Sequence, residues 1–252
     1  MSTQYFIGLL STIALFAPVF LLAYFRLYRF RVYLALLIYC FIAFAYSLMT
    51  EDIINLPTRV ENFIGLANNL VDVPLMMTFL LLFAKTTNQR KWMRRLTLLY
   101  ILFEVGVLLY MQKLTVDTIA VSMAPGLALV LFFSFTFFIH RIKIATTYQK
   151  AYGKAILASA ILLAYSCFTI IYIIHYVLQV KATEDTFMLY FIVSILYNTI
   201  LAIGLVTENK RIRKLEEVHT TRRELSEIFS EDRNTMKKAA PKKETAEYWR
   251  YN

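Results

Sequence analysis

Long apolar runs separated by short polar segments make up the chain as far as Thr207. A helix that crosses a bilayer needs about 20 apolar residues, because the hydrocarbon core is about 30 Å thick and an α-helix rises about 1.5 Å per residue. We therefore expect an all-α fold, a bundle of seven transmembrane helices formed by residues 1–207. The apolar runs place these helices at about residues 4–25, 32–50, 64–84, 96–111, 119–139, 155–178 and 186–207.

The chain after Thr207 is charged instead of apolar. Residues 208–232 are predicted to form a charged helix that continues the last span into the cytoplasm, with an apolar stripe interrupted by Arg222. The stripe fits either a helix that docks on a partner protein or a solvated helix. Residues 233–252 are predicted to form a disordered basic tail that touches the membrane surface.

Composition supports a membrane protein. Hydrophobic residues make up 59% of the chain and charged residues 17%, whereas soluble domains contain about 45–50% apolar residues. The net charge of +10 does not indicate nucleic-acid binding, because the basic residues lie between the apolar runs and in the tail, where they meet anionic lipid. We predict a multi-pass protein of the plasma membrane. Its expected partners are lipids, a protein bound at 208–232 and, if it forms a homo-oligomer, further copies of itself.

The distribution of basic residues predicts the orientation. Segments 26–31, 85–95 and 140–154 hold three, five and four Lys or Arg residues, and the chain after Thr207 holds twelve. The other three loops hold one each. Because cytoplasmic loops are the basic ones, we predict that the N-terminus lies outside and the C-terminus in the cytoplasm. The predicted outer loops are acidic, with Glu51, Asp52, Glu61, Asp117, Glu184 and Asp185.

Two acidic residues lie inside the predicted spans. Asp72 shares a face of the third helix with Asn68 and Asn69, because the spacings are three and four residues. Glu104 lies in the fourth helix, and each acid is about 12 Å deep from an opposite side, which leaves about 6 Å between them along the membrane normal. The two acids can share a proton, each can bond separately to neighbouring Asn, Ser or Tyr side chains, or Glu104 can stay protonated. An acid inside a span is a candidate functional group because its burial is costly.

Polar side chains also repeat at helical spacing in the sixth and seventh helices. Because polar groups turn away from lipid, these stripes are expected to face the bundle interior. We predict a polar, aromatic-lined cavity between helices 3, 6 and 7 that binds a ligand or a proton. The candidate residues are Asn68, Asn69, Asp72, Glu104, Tyr165, Thr169, Tyr172, Ser194, Tyr197 and Asn198.

Two motifs resemble those of the microbial rhodopsins. The third helix of that family reads Asp-Trp-x-x-Thr-x-Pro-Leu, and the same frame here is Asn68-Asn69-Leu70-Val71-Asp72-Val73-Pro74-Leu75. The sixth helix of the family spaces three aromatic residues around retinal, as Tyr165, Phe168 and Tyr172 are spaced here. The resemblance implies an opsin-like scaffold of seven helices.

The chain departs from that family where the chromophore binds. The family holds retinal through a lysine in helix 7, and residues 186–207 contain no lysine. The family's proton acceptor falls on Asn68 and its helix-3 proton donor on Phe79. The comparison therefore implies no covalent retinal and no light-driven proton relay. It leaves a lipid, a carotenoid or another apolar molecule as a non-covalent ligand.

Three classes of function fit this pattern. The first is a sensor, a receptor-like protein or an accessory membrane subunit that passes occupancy of the cavity to the tail. The second is a proton-coupled transporter or channel for a small solute. The third, an intramembrane hydrolase, ranks last because His175 is the only histidine well inside a span and no Cys or His lies at metal-ligand spacing. We therefore expect a protein that is not an enzyme and that has no metal site.

Overall fold

The computed structural model describes residues 3–51, 53–54, 57–84, 86–111, 116–148, 152–178 and 184–239. These residues form seven α-helices and no strand, which confirms the prediction of an all-α bundle. Short 3₁₀ turns, Leu27–Arg29 and Leu81–Phe83, follow the first and third helices, and a π-helical turn, Ile173–Val177, follows the sixth. The helices are α1 Thr3–Tyr24, α2 Arg31–Thr50, α3 Thr58–Leu80, α4 Thr87–Met111, α5 Val116–Tyr148, α6 Tyr152–Tyr172 and α7 Glu184–Ala239.

Six of these helices are long and apolar enough to cross a membrane. They contain the stretches Tyr5–Tyr24, Arg31–Thr50, Phe63–Phe83, Ala120–Thr147, Tyr152–Val177 and Met188–Glu227. Helix α4 differs because its apolar part is short: an 18-residue stretch that ends at Met111 already includes Arg94, Arg95 and Glu104. The chain is therefore a multi-span helical membrane protein.

Four helices extend well beyond the apolar runs that predict them, and two of these, α3 and α4, do so at their start, at Thr58 and Thr87. Helix α5 continues through Arg141 and Lys143 to Tyr148, a region that the sequence analysis assigned to a loop. Helix α7 continues through the whole of 208–232 to Ala239, and residues 240–252 of the predicted tail lie outside the described residues. The difference arises because hydropathy detects the membrane boundary, whereas an α-helix satisfies its own backbone hydrogen bonds on either side of that boundary.

Residues 1–209 form one compact unit and residues 210–252 a second. Within the first unit, helices that follow one another in the chain run antiparallel, because residues in the first half of one helix contact residues in the second half of the other. Four contacts illustrate this arrangement: Thr12 with Ser47, Tyr33 with Phe79, Tyr172 with Ala120, and Phe168 with Tyr190. The first unit is therefore an up-and-down helical bundle.

Helix α3 lies at the centre of this bundle. It packs against α2, α4 and α5, and a tyrosine of α6 bonds to its acidic residue. The fully buried side chains of α3 and of the turn after it are Val73, Met76, Met77, Phe79, Leu80 and Phe83. The apolar core therefore surrounds the C-terminal half of α3.

Arg141 fixes the C-terminal end of α3. Its Nη2 donates a hydrogen bond of 2.9 Å to the carbonyl oxygen of Phe83, in the turn that follows α3. Carbonyl groups at a helix end lack partners within the helix, and a positive charge there is also favourable to the helix dipole. Because Arg141 is near the C-terminal end of α5, helices α3 and α5 run in the same direction. We call this end of the bundle the basic end and the opposite end, which carries Glu51, the acidic end.

Two glycines let α6 and α7 approach closely. A Cβ atom on Gly153 would lie 2.7 Å from the backbone nitrogen of Glu208, and a Cβ atom on Gly204 would lie 2.8 Å from a methyl carbon of Leu157. Neither position has space for a larger residue unless the two helices move apart. This contact covers Glu208, whose exposed fraction is 1%.

Candidate functional site

Asp72 is hydrogen-bonded across the bundle. The Tyr165 hydroxyl of α6 donates to Asp72 Oδ1 of α3 at 2.6 Å. This is the length of a hydrogen bond between a hydroxyl and a carboxylate. The Tyr165 side chain is fully buried, and Asp72 is half-buried. The structure therefore brings together two of the residues singled out by sequence.

Three further tyrosines lie within electrostatic range of the same carboxylate. Tyr39 of α2 and Tyr190 and Tyr197 of α7 each interact electrostatically with Asp72. Together with Asp72 and Tyr165 they form what we call the Asp72 cluster. The cluster therefore joins four helices, α2, α3, α6 and α7, and includes the three helices between which the sequence predicts a cavity.

The Tyr197 hydroxyl is the unsatisfied group of the cluster. The residue is 3% exposed, and its hydroxyl makes no hydrogen bond within the described part of the chain. Tyr39 interacts with this hydroxyl but does not reach normal hydrogen-bond geometry. A buried hydroxyl without a partner is unusual and calls for an explanation, since burial of an unpaired polar group costs about 1–3 kcal/mol.

Aromatic rings form one wall of the cluster. Phe168 of α6 stacks on Tyr190 of α7 with ring centroids 5.6 Å apart and an interplanar angle of 28°. The same phenylalanine meets Tyr165 edge to face at 6.1 Å. Phe168 therefore links Tyr165, which bonds Asp72 of α3, to the contact between α6 and α7.

Asn68 and Asn69 lie on α3 one turn before Asp72, and both are half-buried. Neither side chain forms a hydrogen bond with another described residue, so the structure does not place them on the carboxylate. Their amide groups stay on the Asp72 face of α3, because residues three and four apart share a helix face. They are candidates for contact with a ligand rather than supports for Asp72.

The remaining candidates on α6 and α7 form bonds elsewhere. Thr169 donates to the carbonyl of Tyr165 in its own helix at 2.6 Å, and Tyr172 donates to the carbonyl of Ala120 in α5 at 2.9 Å. The amide of Asn198 donates to the carbonyl oxygen and the hydroxyl of Ser194 at 2.8 and 3.3 Å. Of the candidate residues on α6 and α7, Tyr165 and Tyr197 belong to the Asp72 cluster.

Glu104 forms a second polar centre on α4. Its exposed fraction is 5%, and it interacts with Tyr100, one turn earlier, and electrostatically with Asp72. Tyr100 interacts with both acids, and its hydroxyl donates to the carbonyl of Ser122 in α5 at 3.3 Å. A Cβ atom on Gly126 would lie 2.7 Å from the Tyr100 oxygen, so this glycine provides the space for the ring. Tyr100 is thus the common neighbour of the two carboxylates.

Sequence reasoning missed Tyr39 and Tyr100. Tyr39 lies in the middle of the apolar run of α2, without a polar residue one turn away to mark an inward face. Tyr100 is four residues before Glu104, a spacing that places the two on one face of α4 and could have predicted their contact.

The chemistry of the cluster is that of oxygen atoms and aromatic faces. Among the described residues, no group of three or more His, Cys, Asp or Glu side chains is placed to hold a metal ion. The groups that act on Asp72 in the same part of the chain include Tyr165 and no lysine or arginine. The arrangement can hold a proton or a cationic group at the carboxylate.

Comparison of the chain with protein-family models, with curated proteins and with solved structures finds no match. No family is therefore identified, and the resemblance to microbial rhodopsins rests on the motifs in helices 3 and 6 alone.

Proposed function

We propose that this chain is a membrane sensor, receptor-like protein or accessory membrane subunit whose ligand binds at the Asp72 cluster. The observation that carries the proposal is the hydrogen bond between Tyr165 and Asp72, formed next to the unpaired hydroxyl of Tyr197. A ligand that binds Asp72 or Tyr197 changes the contacts among α3, α6 and α7. Helix α7 is also the helix that continues to Ala239, so it can carry the change to the tail.

The energetic requirement for such a sensor is that the ligand binds one arrangement of the helices better than another. A ligand that replaces Tyr165 as the partner of Asp72 meets this requirement, because it weakens the contact between α3 and α6. A ligand that also forms a hydrogen bond with Tyr197 changes the contacts of α7 as well. Interhelical hydrogen bonds in membranes contribute about 0.6 kcal/mol on average and up to about 1.7 kcal/mol, which is comparable to typical coupling free energies of about 1–3 kcal/mol.

We also propose how the helices that form the site lie in the membrane. All seven helices cross the plasma membrane in an opsin-like arrangement, with the N-terminus outside and the tail in the cytoplasm. The basic-residue count supports this orientation. The ligand is held without a Schiff base, since residues 186–207 contain no lysine. Lipids surround the bundle, and 208–232 binds a partner protein or a second copy of the chain.

Hydrogen exchange of the tail tests this proposal. Asp72→Asn keeps the shape of the side chain and removes its charge, and Tyr197→Phe removes the unpaired hydroxyl. We expect both substitutions to change the exchange rates of backbone amides in 210–227. The matched control is Thr199→Val, because Thr199 is an exposed residue of α7 that bonds only to its own helix. Exchange in 210–227 identical to that of the unsubstituted protein, with the site substitutions folded, would refute the sensor.

A proton-coupled transporter or channel is the second candidate. The observation that favours it is the position of Tyr100, which interacts with both Asp72 and Glu104. Reconstitution into liposomes that contain a pH-sensitive dye distinguishes the two functions. A transporter predicts a proton flux that both Asp72→Asn and Glu104→Gln abolish. The sensor predicts no flux above that of empty liposomes.

A further inference from the structure

We propose that the Asp72 cluster binds a small organic ammonium ion, with the Asp72 carboxylate as its counter-charge and the tyrosine rings as its walls. This inference rests on the proposed function, because it names the ligand class of the same site.

The first step concerns charge. Tyr165 is the hydrogen-bond donor to Asp72 within the described residues, and the other groups that act on the carboxylate are tyrosines and Glu104. None of these supplies a positive charge. A carboxylate that is partly removed from water is stabilised by an opposite charge close by or by a proton. The site therefore suits a ligand that brings the missing charge.

The second step concerns the Tyr197 hydroxyl. This group is buried, lies among the side chains that interact with Asp72, and has no hydrogen-bond partner in the described part of the bundle. It is independent of the Tyr165 bond, because it is on another helix. A polar head group seated at the carboxylate would satisfy it, and this second observation points to a ligand with a polar group as well as a charge.

The third step distinguishes an organic cation from a metal ion. Metal ions such as Ca²⁺ take six or more oxygen ligands, whereas the described residues offer one carboxylate here and no cluster of acids. Organic ammonium ions instead bind against aromatic faces, within about 6 Å of the ring centroid. Aromatic rings are the neighbours of the carboxylate here: Tyr165 bonds Asp72 and meets Phe168, Phe168 stacks on Tyr190, and Tyr39 interacts electrostatically with Asp72.

The acidic end of the bundle favours the approach of a cation. Tyr46 contacts Gly65 nearer the acidic end than Asp72, and the Glu51 carboxylate lies against Gly8 at that end. In the sequence, residues 51–63, 112–118 and 179–185, which include the helix starts at that end, hold six acidic residues and three basic ones. Excess negative charge at one end of a protein attracts cations and raises their rate of association.

The test uses the purified full-length protein in dodecyl maltoside, a neutral detergent without a choline group. Isothermal titration compares choline and tetramethylammonium with 3,3-dimethyl-1-butanol, the uncharged isostere of choline. We expect at least one of the two ammonium ions to bind with at least tenfold lower Kd than the alcohol. Asp72→Asn should remove this preference, Tyr197→Phe should weaken ammonium binding, and the Thr199→Val control should leave it unchanged.

Three results would overturn the proposal. Equal binding of choline and the alcohol would show that the site selects apolar shape instead of charge. An Asp72-dependent rise in Tm with NaCl, together with no effect of either ammonium ion, would assign an inorganic cation. Absence of binding for all three organic probes would exclude this ligand class. None of these results decides the proposed function, which depends on the separate response of the tail to Asp72→Asn in hydrogen exchange.

Discussion

Tyr165→Phe removes the hydroxyl that bonds Asp72 and leaves the buried ring in place. The hydrogen bond is 2.6 Å long, and it is the one that the described residues give to this carboxylate. Hydrogen bonds to charged groups contribute about 1.5–3 kcal/mol in soluble proteins, whereas interhelical hydrogen bonds in membrane proteins average about 0.6 and reach about 1.7 kcal/mol. Because this bond is short and its acceptor is an acid, we expect Tyr165→Phe to lower the free energy of unfolding by about 1.5 kcal/mol.

The assay is reversible unfolding of the purified protein in mixed micelles as the mole fraction of SDS is raised. Tyr152→Phe is the matched control, because Tyr152 is an exposed tyrosine of the same helix, and it should change the free energy by less than about 0.5 kcal/mol. A double-mutant cycle with Asp72→Asn should give a coupling free energy above about 0.5 kcal/mol. A loss no larger than that of the control, or a coupling free energy indistinguishable from zero, would refute the interhelical bond.

Three further predictions concern the helix contacts and the ligand. Gly153→Ala should lower the free energy of unfolding by about 1–3 kcal/mol, because its Cβ atom meets the backbone of α7. The control is Gly106→Ala, whose Cβ atom would have nothing within 4 Å. It should leave the free energy of unfolding unchanged or raise it by up to about 1 kcal/mol. Arg141→Met should lower the free energy of unfolding by about 1.5–3 kcal/mol, because it removes the charged donor to the end of α3. Lys143→Met, at an exposed position, should leave the free energy of unfolding nearly unchanged in the same SDS titration. All-trans retinal should give no borohydride-trapped adduct in 186–207, because these residues contain no lysine. Peptide mass spectrometry checks this prediction, and an adduct in that range would contradict it.

The inward faces of the helices were accessible from sequence, because polar residues in a membrane must turn to protein. This reasoning singled out Asp72, Tyr165 and Tyr197, which the structure places in one cluster. It could not show which neighbour each side chain meets. Tyr172 belongs to the same stripe as Tyr165 but bonds to α5, because residues seven apart lie two turns along the helix and meet different neighbours.

Isolated polar residues and helix ends could not be predicted from the sequence, for a different reason. Tyr39 enters the cluster because α2 packs against α3, and in the sequence no polar residue one turn away marks it as facing inward. The basic residue Arg141 was assigned to a loop by its charge, yet it lies within α5, where its guanidinium donates to a carbonyl at the end of α3. Both depend on tertiary contacts between segments far apart in the chain.

The most direct test of the central claim, that Asp72 faces a polar interior and not lipid, is the accessibility of a cysteine at that position. In a background with Cys40 and Cys167 replaced by alanine, Asp72→Cys is reconstituted in liposomes and exposed to water-soluble methanethiosulfonate reagents. Intact-mass measurement should show modification, faster for the trimethylammonium reagent than for the sulfonate when each rate is normalised to free cysteine. Leu109→Cys, at an exposed apolar position of α4, should not react. Failure of both reagents at Asp72→Cys in the folded protein would contradict the account.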